Sequence, residues 1–142
     1  MRLTIHREAV NIVKYLSGVR VFVTFCKENN FKIWRQDIKN RKAQIIHEYR
    51  LNKVVERIVE LSKEGTSLIE RFLVVFTTGE SELFEFSNED DSLYWIESEK
   101  TREHEVQLTG CDYNTNLCLI VTADKKGIIR IWNRDKKFLR EI

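Results

Sequence analysis

Three histidines, His6, His47 and His104, and three cysteines, Cys26, Cys111 and Cys118, are the side chains here best suited to proton transfer, nucleophilic attack or metal ligation. Catalysis by such groups needs a nucleophile, a base and an orienting group that converge. His104, Cys111 and Cys118 would offer zinc three ligands, but no Cys-x-x-Cys pair occurs and a closed structural site takes four. Cys118 lies between Leu117 and Leu119 in an apolar run, which favours packing over ligation. Cys26 has Lys27 as its only cationic neighbour and no histidine close in sequence, so it lacks the electropositive surroundings of a reactive thiol. The run Ser87-Asn88-Glu89-Asp90-Asp91-Ser92 carries carboxylates that suit a divalent cation, yet it does not fit an EF-hand loop and reads as a solvated turn. No Gly-x-Gly-x-x-Gly, Gly-x-x-x-x-Gly-Lys or Gly-x-Ser-x-Gly occurs, so phosphate-cradling and hydrolase readings lack support. The expectation is no catalytic residue, no cofactor and no metal.

What must position these side chains is a repeat. Val23-Thr24-Phe25-Cys26-Lys27-Glu28-Asn29-Asn30-Phe31-Lys32-Ile33-Trp34 aligns without a gap on Val121-Thr122-Ala123-Asp124-Lys125-Lys126-Gly127-Ile128-Ile129-Arg130-Ile131-Trp132. Each copy is an apolar strand, a polar turn and a second strand ending in tryptophan. Asn29 and Gly127 hold the turn position, and both tolerate the positive φ that a tight hairpin requires. The tryptophans lie 132 − 34 = 98 positions apart, so a third copy is expected midway. The stretch from Phe72 to Phe86 fills that place, with Gly79 in the turn and Phe86 near the tryptophan position. Three copies at a period of roughly 50 residues, each with four short strands, is the pattern of propeller blades. Strands are expected near 10–16, 19–25, 30–35 and 43–50, then 54–61, 67–77, 82–87 and 92–98, then 104–112, 117–123, 128–133 and 137–142. The blade-like repeats are about 6–50, 51–98 and 99–142.

The segment from His104 to Asn133, ending Gly127-Ile128-Ile129-Arg130-Ile131-Trp132-Asn133, resembles a WD40 repeat. The resemblance implies an all-β fold of WD40-type β-propeller blades, about three of them in an incomplete ring. It also implies a structural hydrogen-bonded network of His, Ser or Thr, a turn Asp and Trp. Carried over, those roles fall on His104, Thr122 and Trp132, while the position before Gly127 is Lys126 and Asp124 sits two residues too early. In the first copy they fall on His6, Thr24, Glu28 and Trp34, with His6 as far before Thr24 as His104 is before Thr122. The middle copy has no such set. The tail Asn133-Arg134-Asp135-Lys136-Lys137-Phe138-Leu139-Arg140-Glu141-Ile142 is similar to repeat ends in large ciliary and flagellar WD-repeat proteins.

Two stretches conflict with the repeat. In residues 51–62 the apolar positions Leu51, Val54, Val55, Ile58, Val59 and Leu61 fit helical spacing better than alternation, and residues 7–16 are similar. Four of those six are β-branched and the repeat needs a strand there, which favours strand over a small α+β domain of binding or regulatory role.

Composition narrows the partner. The 24 basic and 22 acidic residues are interspersed, giving a net charge of +2 and no strong field for nucleic acid. No apolar run approaches the roughly 18 residues of a membrane span. The start of the chain lacks the apolar core of a secretory signal, and an odd cysteine count suits a reducing compartment, so the cytosol is expected. Propellers usually close with about four to eight blades, so three are expected to leave two open flanks, as in a fragment or one arc of a ring completed by other blades of the same or another chain. The expected function is a non-catalytic protein-binding scaffold, with a propeller-type enzyme the least favoured reading. Trp95, outside the repeat register and beside Tyr94, is the candidate exposed anchor.

Overall fold

Twelve strands and no helix form among the residues that the computed structural model describes, 4–62, 68–96 and 104–142. The first sheet is β1 (Val10–Leu16), β2 (Val21–Cys26), β3 (Asn30–Asp37) and β4 (Lys42–Arg50). The second is β5 (Val55–Glu60), β6 (Ile69–Phe76), β7 (Ser81–Ser87) and β8 (Leu93–Ile96). The third is β9 (Leu108–Asn114), β10 (Leu119–Asp124), β11 (Ile129–Asn133) and β12 (Phe138–Glu141). Each is an antiparallel meander in chain order, and the first strands β1, β5 and β9 line up side by side. The α+β alternative is thereby set aside. The expected strand limits shift by one or two residues at several ends, and most at β9, which starts at Leu108 rather than at 104, because His104 turns inward before the strand begins.

The helical spacing at residues 7–16 and 51–62 has a local cause. Pairing slips by one residue at the same place in each first strand: between Val10 and Ile12, between Val55 and Arg57, and between Leu108 and Gly110. An extra residue in a strand resets the alternation, so side chains three apart, which would face opposite ways in a regular strand, share a face. Val55 and Ile58 therefore enter one apolar cluster together, and Leu108 and Cys111 another. A spacing of three followed by strand alternation mimics a helix turn in sequence.

The turns repeat as the alignment requires. Asn29, Gly79 and Gly127 have φ of 63°, 88° and 84°, and the N–H of each donates to the carbonyl three residues back, on Cys26, Phe76 and Asp124. Gly79 has a further constraint, since a Cβ there would collide with the carbonyl oxygen of Val106, in the segment that carries His104.

The core lies in the two seams between sheets. Along β6, Phe72, Val74 and Phe76 turn to the first sheet, meeting Val21, Val23, Phe25, Phe31 and Ile33. Leu73 and Val75 turn to the third sheet, meeting Leu108, Cys111, Ile120 and Trp132. The middle sheet is thus covered on both faces, which explains why every residue from Phe72 to Phe76 is buried.

Candidate functional site

On the third sheet four buried polar side chains form one chain. Trp132 Nε1 donates to Thr122 Oγ1 at 2.9 Å, Thr122 Oγ1 lies 2.8 Å from His104 Nε2, and His104 Nδ1 lies 2.8 Å from Asp124 Oδ2. A carboxylate only accepts, so His104 Nδ1 carries a proton and donates it to Asp124 in the hydrogen bond. Burial pushes the Asp124 carboxyl up, but the bond from His104 and those from the N–H groups of Ile128 and Lys126 outweigh it and hold it below the usual carboxylate range.

Hydroxyl, imidazole and carboxylate in series have the connectivity of a nucleophile relay. Here the Thr122 side chain is 1% exposed and holds the indole N–H as well, so its oxygen is closed to a substrate. The chain instead ties the segment before β9 to β10 and β11. Thr122→Val removes both bonds at Oγ1 and leaves His104 Nε2 and Trp132 Nε1 unpaired in the interior. It is expected to lower stability by about 2 kcal/mol, read in denaturant titration with the strand signal in circular dichroism retained.

The acid of this network is Asp124, which corrects the reading that left the position before Gly127 unfilled. Asp124 ends β10 two residues after Thr122, and strand alternation puts both side chains on the face that meets His104. Lys126 is already in the turn.

By the same geometry the first sheet holds an incomplete set. His6 Nε2 lies 2.7 Å from Thr24 Oγ1, and Trp34 Nε1 donates to that oxygen at 3.2 Å. The position of Asp124 is taken by Cys26, and buried His6 Nδ1 has no hydrogen-bond partner. Glu28, expected as the turn acid, is exposed in the turn and does not reach His6. Burial, with Lys32 nearby, holds the His6 imidazole below its usual pKa. Cys26→Asp is expected to supply the missing acceptor and raise the unfolding midpoint by about 3 °C, corresponding to about 1 kcal/mol. A lowered midpoint would contradict this account of the unpaired nitrogen.

The middle sheet replaces the set by apolar groups. Phe84, not Phe86, stands at the tryptophan position: it pairs with Phe72 as Trp132 pairs with Ile120 and Trp34 with Phe22. Val74 and Phe76 occupy the places of Thr122 and Asp124.

The remaining sequence candidates fall elsewhere. Cys111 and Cys26 are buried, no disulfide joins the cysteines, and among the described residues no three His, Cys, Asp or Glu side chains are grouped to hold a metal ion. The run 87–92 clamps a seam. Arg35 Nη2 meets Asp91 Oδ1 at 2.7 Å and Asn88 Oδ1 at 3.0 Å, while His47 Nε2 bonds the Asp91 carbonyl. The second seam has a counterpart, Arg71 Nη1 on Asp135 Oδ1 at 2.6 Å. These arginines carried no motif. They are visible only once the sheets are adjacent.

Trp95 and Tyr94 are 54% and 55% exposed but, as strand neighbours, project from opposite faces of β8. Trp95 lines a cleft of about 330 Å³ at the first seam, shared with Phe31, Tyr49, Leu51, Phe84 and Leu93, and with Arg50 and Glu82 supplying charge. Tyr49, which sequence reading missed, is the second exposed aromatic there. Its lining is mostly aromatic and aliphatic, with charge at its edge from Arg50 and Glu82.

No family profile matches the chain, and no curated protein matches it. Its structure is similar to the crystal structure of Saccharomyces cerevisiae Sqt1, a WD40 propeller, with a TM-score of 0.68 at 18% identity, over 99% of this chain and 37% of that one. The chain therefore spans just over a third of the length of the solved structure that it matches. With three antiparallel four-stranded sheets packed in series, the fold is all-β: an arc of three WD40-type propeller blades.

Proposed function

We propose that the chain is a non-catalytic WD-repeat scaffold that mediates protein–protein interaction and contributes its blades, about 6–50, 51–98 and 99–142, to a larger propeller or assembly. The observation that carries this reading is the aromatic cleft at the first seam, where Trp95 and Tyr49 stand exposed above a rigid floor of Phe31 and Phe84. A large, partly exposed aromatic in a preformed apolar cleft is the kind of group that dominates protein interfaces. The hydroxyl–imidazole–carboxylate series of the third sheet is sealed by Trp132, which disfavours a propeller-type enzyme. The balanced charge gives neither nucleic acid nor an anionic membrane a strong field to follow.

Selection of peptides from a displayed library tests the reading. Ligands with a bulky apolar anchor are expected, and Trp95→Ala should weaken them about tenfold or more while the circular dichroism spectrum is unchanged. Ligands indifferent to Trp95→Ala would move the binding surface elsewhere, and a steeply salt-dependent RNA affinity would contradict the protein-binding class. We also infer a cytoplasmic location, ciliary or flagellar on the likeness of residues 133–142. A tagged copy found in another compartment would overturn it.

A further inference from the structure

The cleft at the first seam opens between the outermost strands of two neighbouring sheets. One wall is the end of β4, with Tyr49 and Arg50, and the other is formed by Glu82 and Phe84 of β7 and Trp95 of β8. The floor is fixed, because the Phe31 ring lies 6.1 Å from Phe72 and 6.0 Å from Phe84 between centroids. The opening has a cause in the repeat. In the third sheet the indole of Trp132 meets Phe138, its partner across the β11–β12 pair, edge-on at 5.4 Å. In the second sheet the smaller Phe84 stands at that position, opposite Trp95. Among the described residues Trp95 has no ring partner and its indole N–H has no acceptor. A half-exposed aromatic plane with a donor at its edge is thus presented to the cleft.

Two charges line the cleft from opposite walls, Arg50 on the first sheet and Glu82 on the second. Around them opposite charges are joined: Lys32 to Glu48 at 3.2 Å, Lys53 to Glu80 at 2.6 Å and Arg35 to Asp91 at 2.7 Å. The side chains of Arg50 and Glu82 are joined neither to each other nor to another described residue. An occupant that is apolar throughout would strip water from both charges and return nothing, which penalises its binding. An occupant that brings a carboxylate to Arg50 and a cation to Glu82 satisfies both. Two ligand charges of one sign would set one of them against its like.

Size selects the form of the occupant. The volume of about 330 Å³ lies at the small end of the roughly 300–1,000 Å³ of ligand clefts. That seats one bulky side chain and not the row of anchors on an amphipathic helix. Resting on the reading of this cleft as the binding surface, we propose that its occupant is an extended peptide segment of a partner protein, with one bulky apolar anchor between an acidic and a basic residue. The anchor packs on Trp95 and Phe31, the acid meets Arg50 and the base meets Glu82.

Selection from a displayed library of random linear peptides against the folded chain tests this. The expected ligands carry the anchor with an acid on one side and a base on the other, and lose affinity with Trp95→Ala. Arg50→Glu and Glu82→Lys are each expected to weaken them about tenfold with the strand spectrum unchanged. Replacing the acid of a selected peptide by lysine should then restore its binding to the Arg50→Glu chain, a rescue that a merely structural loss would not show. Arg50→Gln and Glu82→Gln, which only remove charge, serve in the same way should a reversal unfold the sheet. Ligands that need Trp95 but lack the flanking pair, or that bind the charge variants as well as the parent, would overturn this occupant and leave the cleft reading standing. Ligands indifferent to Trp95→Ala, or a selection that yields none, would overturn both.

Discussion

Phe72→Ala is expected to cost about 4 kcal/mol, a large share of the roughly 5–15 kcal/mol that holds a domain of this kind together. The ring is fully buried in the first seam, with its centroid 6.1 Å from that of Phe31 and 5.5 Å from that of Phe84. Both sheets contribute to the space it fills, so neither can collapse onto the cavity without separating from the other. Chemical denaturation with a circular dichroism readout measures the loss. Phe22→Ala is the internal comparison: the same side chain, also in a strand and also stacked on an aromatic ring, but on the face turned away from the second sheet and only half-buried. It is expected to cost less than half as much in this chain. Equal losses would mean that the seam is not where stability resides.

Glu70→Gln is expected to stabilise the protein by about 2 kcal/mol above pH 7, which for this chain length is roughly 6 °C in the midpoint. Glu70 is 2% exposed on β6 and its Oε1 has no hydrogen-bond partner. Burial, and then the neighbouring charge of Glu60, push its carboxyl up to about 7 although Arg134 pulls it down. The folded state therefore holds a proton there at pH values where the unfolded chain has lost it. A raised carboxyl contributes most below the ordinary glutamate range, and that contribution is lost as pH rises through about 7. The Gln variant has nothing to ionise, so its advantage should shrink as pH is lowered toward the ordinary glutamate range. Midpoints recorded across that interval check the slope, and a pH-independent difference would refute the assignment. Asp124 acts in the opposite sense: its lowered carboxyl contributes above the usual carboxylate range and loses that contribution in acid below it.

The order of the strands was legible because hairpins announce themselves locally. Asn29, Gly79 and Gly127 mark three turns of one geometry, and the β-branched and aromatic runs on either side mark the strands. What failed to read correctly involved faces rather than elements. Residues 7–16 and 51–62 resembled helices because an extra residue in each first strand resets which side chains point inward, and such a slip leaves no mark in composition. Glu28 was read as the acid of the first copy, where the strand places Cys26, and Lys126 was compared in place of Asp124, by counting back from the turn. The network is set by alternation along the strand from Thr24 and Thr122, so the count had to start from those residues. Phe86 was taken for Phe84 because the middle copy has no tryptophan to anchor the count, although five positions from Gly79 would have found it. The clamps made by Arg35 and Arg71 were illegible because each joins residues more than 50 positions apart on different sheets. Trp95 was found by its absence from the repeat register, and Tyr49 was missed because only the seam brings it to the same cleft.

Amide hydrogen exchange resolved by residue tests the central claim, that three blades pack in series with the shared core on the middle one. The amides of β6 from Phe72 to Phe76 are expected to exchange only through global unfolding, while those of β12, whose side chains are all exposed, exchange by local opening. Protection in β6 no greater than in β12 would contradict a blade covered on both faces, and with it the arc on which the site and its partners have been built.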